Sequence, residues 1–203
     1  MGGRIQKRDG DGGVALIEAA LAVPFLVLLL LGTIEAGFAW SDANTLARTV
    51  QQAARTDARI ATGPLADYEA LRAINSGLAG LRASSIERVV IYRSNGLGDT
   101  PSAECRNVPR PNDLSAVSRP GCNVYSAAQV AAEAPHMFGS CSGGWDSGYC
   151  PANRIRGGTD PDRLGVWVKL SFDQVTSALP ASMHITRGAV YQLEPCVAGD
   201  SSC

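Results

Sequence analysis

The side chains of this 203-residue chain that could carry chemistry are six cysteines, two histidines and a handful of acids in unusual places. The cysteines, Cys105, Cys122, Cys141, Cys150, Cys196 and Cys203, contain no Cys-x-x-Cys pair and no cysteine-histidine cluster at zinc-ligand spacing. An even number of them on one side of the chain reads as disulfides in an oxidising compartment. Short loops close most easily, which suggests Cys105 with Cys122, Cys141 with Cys150 and Cys196 with Cys203, while spacing alone leaves other pairings open. Asp160 and Asp162 lack the further spaced oxygens of a calcium loop. No P-loop, His-Glu-x-x-His or Gly-x-Ser-x-Gly appears, and no cofactor or small-molecule substrate is expected. His136 and His184 read as ordinary surface or core residues.

Glu18 is the acid that most needs explaining. It lies in a nearly continuous apolar run from Gly12 to Trp40, and no charge occurs between Ala19 and Ile34. A helix over 14–39 would be about 39 Å long, enough to cross a hydrocarbon core of about 30 Å with some tilt. A carboxylate near the bilayer centre costs on the order of 3 kcal/mol and calls for a partner. The plain alternative puts Glu18 at headgroup level, one turn into the span.

Glu18 is also the fifth residue after Gly13, and a short basic segment with Arg4, Lys7 and Arg8 precedes it. A glycine, four apolar residues and a glutamate at the head of a hydrophobic helix resemble the processing site of type IV prepilins. The resemblance implies cleavage between Gly13 and Val14 by a prepilin peptidase, and pairing of Glu18 with the freed amine of a neighbouring subunit. Val14 to Leu26, the following leucine run and Gly32-Thr-Ile-Glu-Ala-Gly-Phe38 are similar to the TadE-like family of the tight-adherence (Flp) pilus system. So is the ending Ala-Val-Tyr-Gln-Leu-Glu-Pro195. The family implies a pilus assembly platform and other pilin-like subunits as partners. Pro24 removes a backbone donor, so a kink is expected near residues 20–24. Glu35 is expected at the outer interface as a solvated helix-end acid. A secretory signal cut near Ala39 is disfavoured, because the apolar core is too long and carries Glu18.

The formal net charge of −1 and pI near 6.1 give no basic surface for nucleic acid. All cysteines follow the span and the basic segment precedes it, so both place the N-terminus in the cytoplasm and the bulk of the chain outside the inner membrane, in contact with lipid only through the span.

The organising elements follow in order. Residues 1–13 read as a leader and 14–40 as the membrane helix, which continues as an amphipathic helix over 41–64 until Gly63-Pro64 ends it. An extracytoplasmic domain fills 65–203. Within it a helix is expected over 65–81, a strand over 86–93 with a turn at Asn95-Gly96, a short helix near 126–133, and strands over 165–172 and about 185–193. Alternation puts Val166, Val168, Leu170 and Phe172 on one face and Trp167, Lys169 and Ser171 on the other. Residues 95–164, rich in Gly, Pro, Ser and Asn, form a disulfide-rich insertion. The fold class is α+β: a long helix packed on a small antiparallel sheet.

Trp145 and Tyr149, inside the short Cys141 to Cys150 loop, are the candidate contact surface; burial against the sheet is the ordinary alternative and is preferred. Asp146-Ser147-Gly148 resembles the nucleophile neighbourhood of trypsin-like proteases, but neither histidine has the surroundings to complete it, and chance accounts for the match. The reading is therefore a structural, minor pilin-like (pseudopilin) subunit, acting through helix packing. Small residues Ala15, Ala19, Ala22, Gly32 and Ala36 suit close helix approach. An uncleaved anchored adhesion or binding domain is the alternative, and a membrane-tethered enzyme a third reading without a motif behind it.

Overall fold

Helix-forming residues run from the apolar segment into the amphipathic one without a Gly-Pro break until residue 63, and one helix results. The structure, a computed structural model, describes residues 11–81, 84–108, 117–158, 160–173 and 183–195. α1 spans Asp11–Ile60, 50 residues, and carries Pro24 inside it. It starts ahead of Gly13, so the junction between Gly13 and Val14 is helical. Ala61, at φ 53°, turns the chain out of the helix.

α2 (Ala66–Leu78) packs back against the outer half of α1. Its apolar stripe of Leu71, Ile74 and Leu78 is buried against Leu46, Val50, Ala53, Ala54 and Ala58 of α1. The alanines keep that face narrow enough for close approach. Gly77 allows the closest contact: a Cβ there would stand 2.6 Å from Thr49 Cγ2 and Oγ1.

The helices cover one face of a five-stranded antiparallel sheet in the order β2-β3-β1-β4-β5. The strands are β1 (Ser84–Ser94), β2 (Val117–Arg119), β3 (Cys122–Ser126), β4 (Arg163–Phe172) and β5 (Met183–Gln192). β1 pairs with β4 through Val89↔Val168 and Ile91↔Val166, and with β3 through Val90↔Val124. Val89, Ile91, Leu164, Val166, Val168, Leu170 and Phe172 meet the helices, as the alternation of β4 requires.

The opposite face carries a smaller cluster. Val90, Tyr92, Val124 and Trp167 pack there with Cys105 and Val108, beside the single helical turn α3 (Ala103–Arg106). Arg88 reaches from the sheet to donate to the carbonyls of Arg106 and Val108, fixing this segment. The sheet therefore has two covered faces where sequence alternation showed one apolar and one mixed.

The described residues among 95–164 are more regular than their composition suggests. β2, β3, α3 and the short helix α4 (Ala127–Ala131) lie inside them, with three single 3-10 turns. Ser126 and Gln129 form a capping box that starts α4 where a short helix is expected. Disulfides join Cys105 to Cys122 and Cys141 to Cys150, the expected local pairs. Cys196 and Cys203 lie outside the described residues, as does the basic segment with Arg4, Lys7 and Arg8.

Candidate functional site: the two halves of the long helix

α1 changes character along its length because its sequence does. From Val14 to Leu30 its large apolar side chains stand uncovered, with Leu21 74% exposed. This segment is long and apolar enough to cross a membrane. From Leu46 onward the same helix is buried beneath its own domain. Gly13, Val14 and Glu18 lie together in the first turns of the uncovered half, and Val14 and Glu18 are exposed. A Cβ on Gly13 would meet nothing within 4 Å. Ala15, Ala19, Ala22, Gly32 and Ala36 are exposed in the same half.

Glu18 and Trp40 bracket the apolar segment. Their separation along the helix axis is about 33 Å, close to a hydrocarbon thickness of about 30 Å. Trp40 is 73% exposed at the domain end of that segment, where an indole ring suits a membrane interface. Glu35 departs from expectation. It is 3% exposed and has a partner, so it is a buried acid rather than a solvated one.

Beyond Trp40, inside the domain, a polar cluster that sequence reasoning missed ties α1, α2, β3 and the segment around Arg154 together. Arg154, from the insertion, donates from Nη1 to Asp57 Oδ1 of α1 at 2.7 Å and from Nη2 to Asp67 Oδ1 of α2. All three side chains are fully buried. Asp67 Oδ2 accepts from Tyr125 Oη at 2.6 Å and from Asn123 Nδ2 at 2.7 Å, both on β3. Asn123 Oδ1 accepts from the Tyr149 amide, and the Arg154 guanidinium lies 4.6 Å from the Tyr149 ring centroid. Two carboxylates share one cation here. Burial pushes the Asp57 carboxyl up to about 7, against the pull of Arg154 and with Asp67 adding to the push. Burial likewise raises the Tyr125 hydroxyl, helped by Asp67. Asp57, Asp67 and Arg154 are fully buried, and what the arrangement can do is hold elements together.

Trp145 and Tyr149 are placed by this interior and not by the surface. At 5% and 7% exposure they cannot serve as exposed anchors, which corrects the contact-surface reading in favour of burial. Trp145 stands edge-on to Phe138, 5.6 Å between centroids, and Phe138 in turn meets Tyr68 of α2. The physical reason lies in Asp146, whose Oδ2 accepts from the Gly139 amide and folds the loop inward.

The remaining singled-out acids and histidines have ordinary partners. Asp162 is held by Arg93 Nε at 3.0 Å and accepts from the Ile155 amide, while Asp160 meets Arg163. His184 lies 3.2 Å from Glu87, and His136 is exposed at a 3-10 turn. Among the described residues, no group of three His, Cys, Asp or Glu could hold a metal ion.

An apolar half-helix of membrane length, fused without a break to a half-helix that forms the spine of an α+β domain, is consistent with a single-pass membrane anchor. Residues 13–55, which lie within that helix, match the family described as TadE-like protein. The match covers part of the long helix and none of the domain that follows it. No curated protein and no solved structure matches the chain.

Proposed function

We propose that the protein is a minor pilin-like (pseudopilin) subunit of a tight-adherence pilus system, cut between Gly13 and Val14 by a prepilin peptidase and assembled through its N-terminal helix. The carrying observation is the placement of Gly13, Val14 and Glu18 at the head of one helix whose first half is uncovered and whose residues 13–55 match the TadE-like family. Cleavage would put a new amine four residues before Glu18. A carboxylate in a low-dielectric layer gains most from a cationic donor, and the amine of a neighbouring subunit supplies one.

The N-terminus is cytoplasmic in this reading and the domain extracytoplasmic. Two disulfides on the domain side and the basic residues Arg4, Lys7 and Arg8 on the other support that orientation. The assembly platform and other pilin-like subunits are the partners, and the contribution is structural. The adhesion alternative relied on exposed aromatics in the Cys141 to Cys150 loop, and their burial removes its support.

Intact-mass analysis of membrane-extracted protein, from cells with their own peptidase, tests the reading. A chain beginning at Val14, with processing lost in Gly13→Ala, is the expected result. A chain that keeps Arg4 to Gly13 would overturn it in favour of an uncleaved anchor.

A further inference from the structure

Asp42 sits on α1 two residues beyond Trp40. It is 5% exposed, and its Oδ2 has no hydrogen-bond partner. It lines a cavity of about 290 Å³ between α1 and the chain leaving α2, together with Phe38, Ser41, Thr45, Gly80 and Leu81. Among the described residues that line the cavity, none carries a cation. A carboxylate withdrawn from water without a donor is unfavourable, so among the described residues this one lacks its counterpart.

The lining specifies what would complete it. Besides the carboxylate, Ser41 and Thr45 contribute hydroxyl oxygens, and Thr45 Oγ1 spends its proton on the Ser41 carbonyl at 3.0 Å, leaving lone pairs to accept. A group with several N–H donors and a positive charge matches this set. A primary ammonium has three such donors. A quaternary ammonium has none, and it prefers an aromatic cage where Phe38 is the single ring. One carboxylate is also too few oxygens for a divalent cation.

Height along the helix selects the source. If Glu18 and Trp40 mark the two faces of the hydrocarbon, Asp42 lies about 3 Å beyond Trp40, within the headgroup layer. Phe38 and Leu81 give the cavity an apolar wall, suited to a glycerol and upper acyl segment. We propose that this collar cavity binds the ammonium headgroup of one membrane phospholipid of the phosphatidylethanolamine class, with Asp42 as its anionic partner. The lipid seats the domain at a fixed height on the bilayer. The proposal rests on the membrane reading of α1 and is independent of leader cleavage.

The test uses the full chain in detergent micelles, offered equimolar phosphatidylethanolamine and phosphatidylcholine of identical acyl chains, with bound lipid read by native mass spectrometry. One phosphatidylethanolamine per chain, preferred by about tenfold or more, is expected, with Asp42→Asn bringing the two lipids to near parity. N-methylated phosphatidylethanolamines, added to the unaltered protein, should bind more weakly with each N–H removed, so the proposal does not depend on the variant folding. Parity in the unaltered chain, or a preference kept by Asp42→Asn, overturns it. So does a chain that pairs with a second copy through Asp42 in place of lipid, which would make a neighbour's cation the occupant. Quenching of Trp40 fluorescence by brominated lipid, judged against Trp40→Phe, checks the membrane placement separately. Quenching without a headgroup preference sinks the lipid site alone, and absence of quenching sinks the placement with it.

Discussion

Arg154 and Asp57, 97 positions apart in the chain, meet at 2.7 Å in the fully buried interior of the domain. This contact pins the cysteine-rich insertion to the long helix, and the second arm of the same guanidinium pins it to Asp67 at the start of α2. Because desolvation of each ion is costly, the cluster holds only while both sides are present.

Removing the cation should therefore be far worse than removing its packing volume. Arg154→Met leaves Asp57 and Asp67 buried together without a counter-charge, and a loss of about 3–5 kcal/mol in folding stability is expected. Urea unfolding of the full chain in detergent, followed by near-ultraviolet circular dichroism, measures it. A loss under about 1 kcal/mol would show that water or another cation reaches the pair.

Stability should also depend on pH through Asp57. Its carboxyl titrates at about 7 in the folded protein and near 3.8 when unfolded. The folded state thus binds the extra proton between those values, so this contribution is full below pH 3.8 and disappears as pH rises through 7. Arg154 and Asp67 act on the group directly, and Tyr149 of the insertion interacts with it as well. Relative to the Asp57→Asn variant, in which the position is neutral throughout, the unaltered protein should lose stability between pH 5 and 8.5 by on the order of a few kcal/mol. Parallel curves for the two proteins would refute the assignment.

The amphipathic half of α1, α2 and the alternating β4 were readable in the sequence because each buries one regular face. Leu46, Val50 and Ala54 keep helical period, and Val166, Val168 and Leu170 keep strand period. β3 was not readable: all five residues of Cys122–Ser126 are buried, so no alternation marks it, and Pro120 and Gly121 directly precede it. The Asp57–Arg154–Asp67 cluster was invisible for a different reason. Each member looks like a surface charge locally, and only the β3 to β4 connection, which skips past β1, brings the insertion's arginine to the helices. Glu35 failed the same way, a helix-end acid by position that the fold buries. Gly13 and Glu18 stood out because their spacing is local and needs no fold to be read.

Close approach of α1 and α2 rests on Gly77. Alanine is intrinsically the better helix residue by up to about 1 kcal/mol, yet its Cβ would stand 2.6 Å from two atoms of the buried Thr49 side chain. Gly77→Ala is expected to lower stability by about 1–3 kcal/mol. In a Thr49→Ala background the clash disappears and the helix preference should reassert itself, giving a coupling of about 1 kcal/mol or more. Additive effects of the two substitutions in thermal unfolding would mean that the helices are farther apart than described.

Gly148 tests whether the Cys141 to Cys150 loop belongs to the interior. Its carbonyl accepts from the Gly121 amide at 3.0 Å, and Gly121 in turn accepts from the Arg93 amide at 2.9 Å, so the loop braces the β2–β3 hairpin against β1. A Cβ at Gly148 would stand 2.2 Å from the Cys122 carbonyl oxygen and 2.6 Å from that of Arg119. Backbone atoms of a paired hairpin cannot yield as a side-chain tip does, so Gly148→Ala should cost about 1–3 kcal/mol or more. Amide exchange at Gly121 should accelerate more than exchange at Val168 in the middle of β4, because the hairpin opens locally first. Gly96→Ala, where a Cβ meets nothing within 4 Å, is the matched control and should stay within about 0.5 kcal/mol of the unaltered protein. Equal behaviour of the two variants would mean that the loop stands off the hairpin, and it would return Trp145 and Tyr149 to the surface as contact residues.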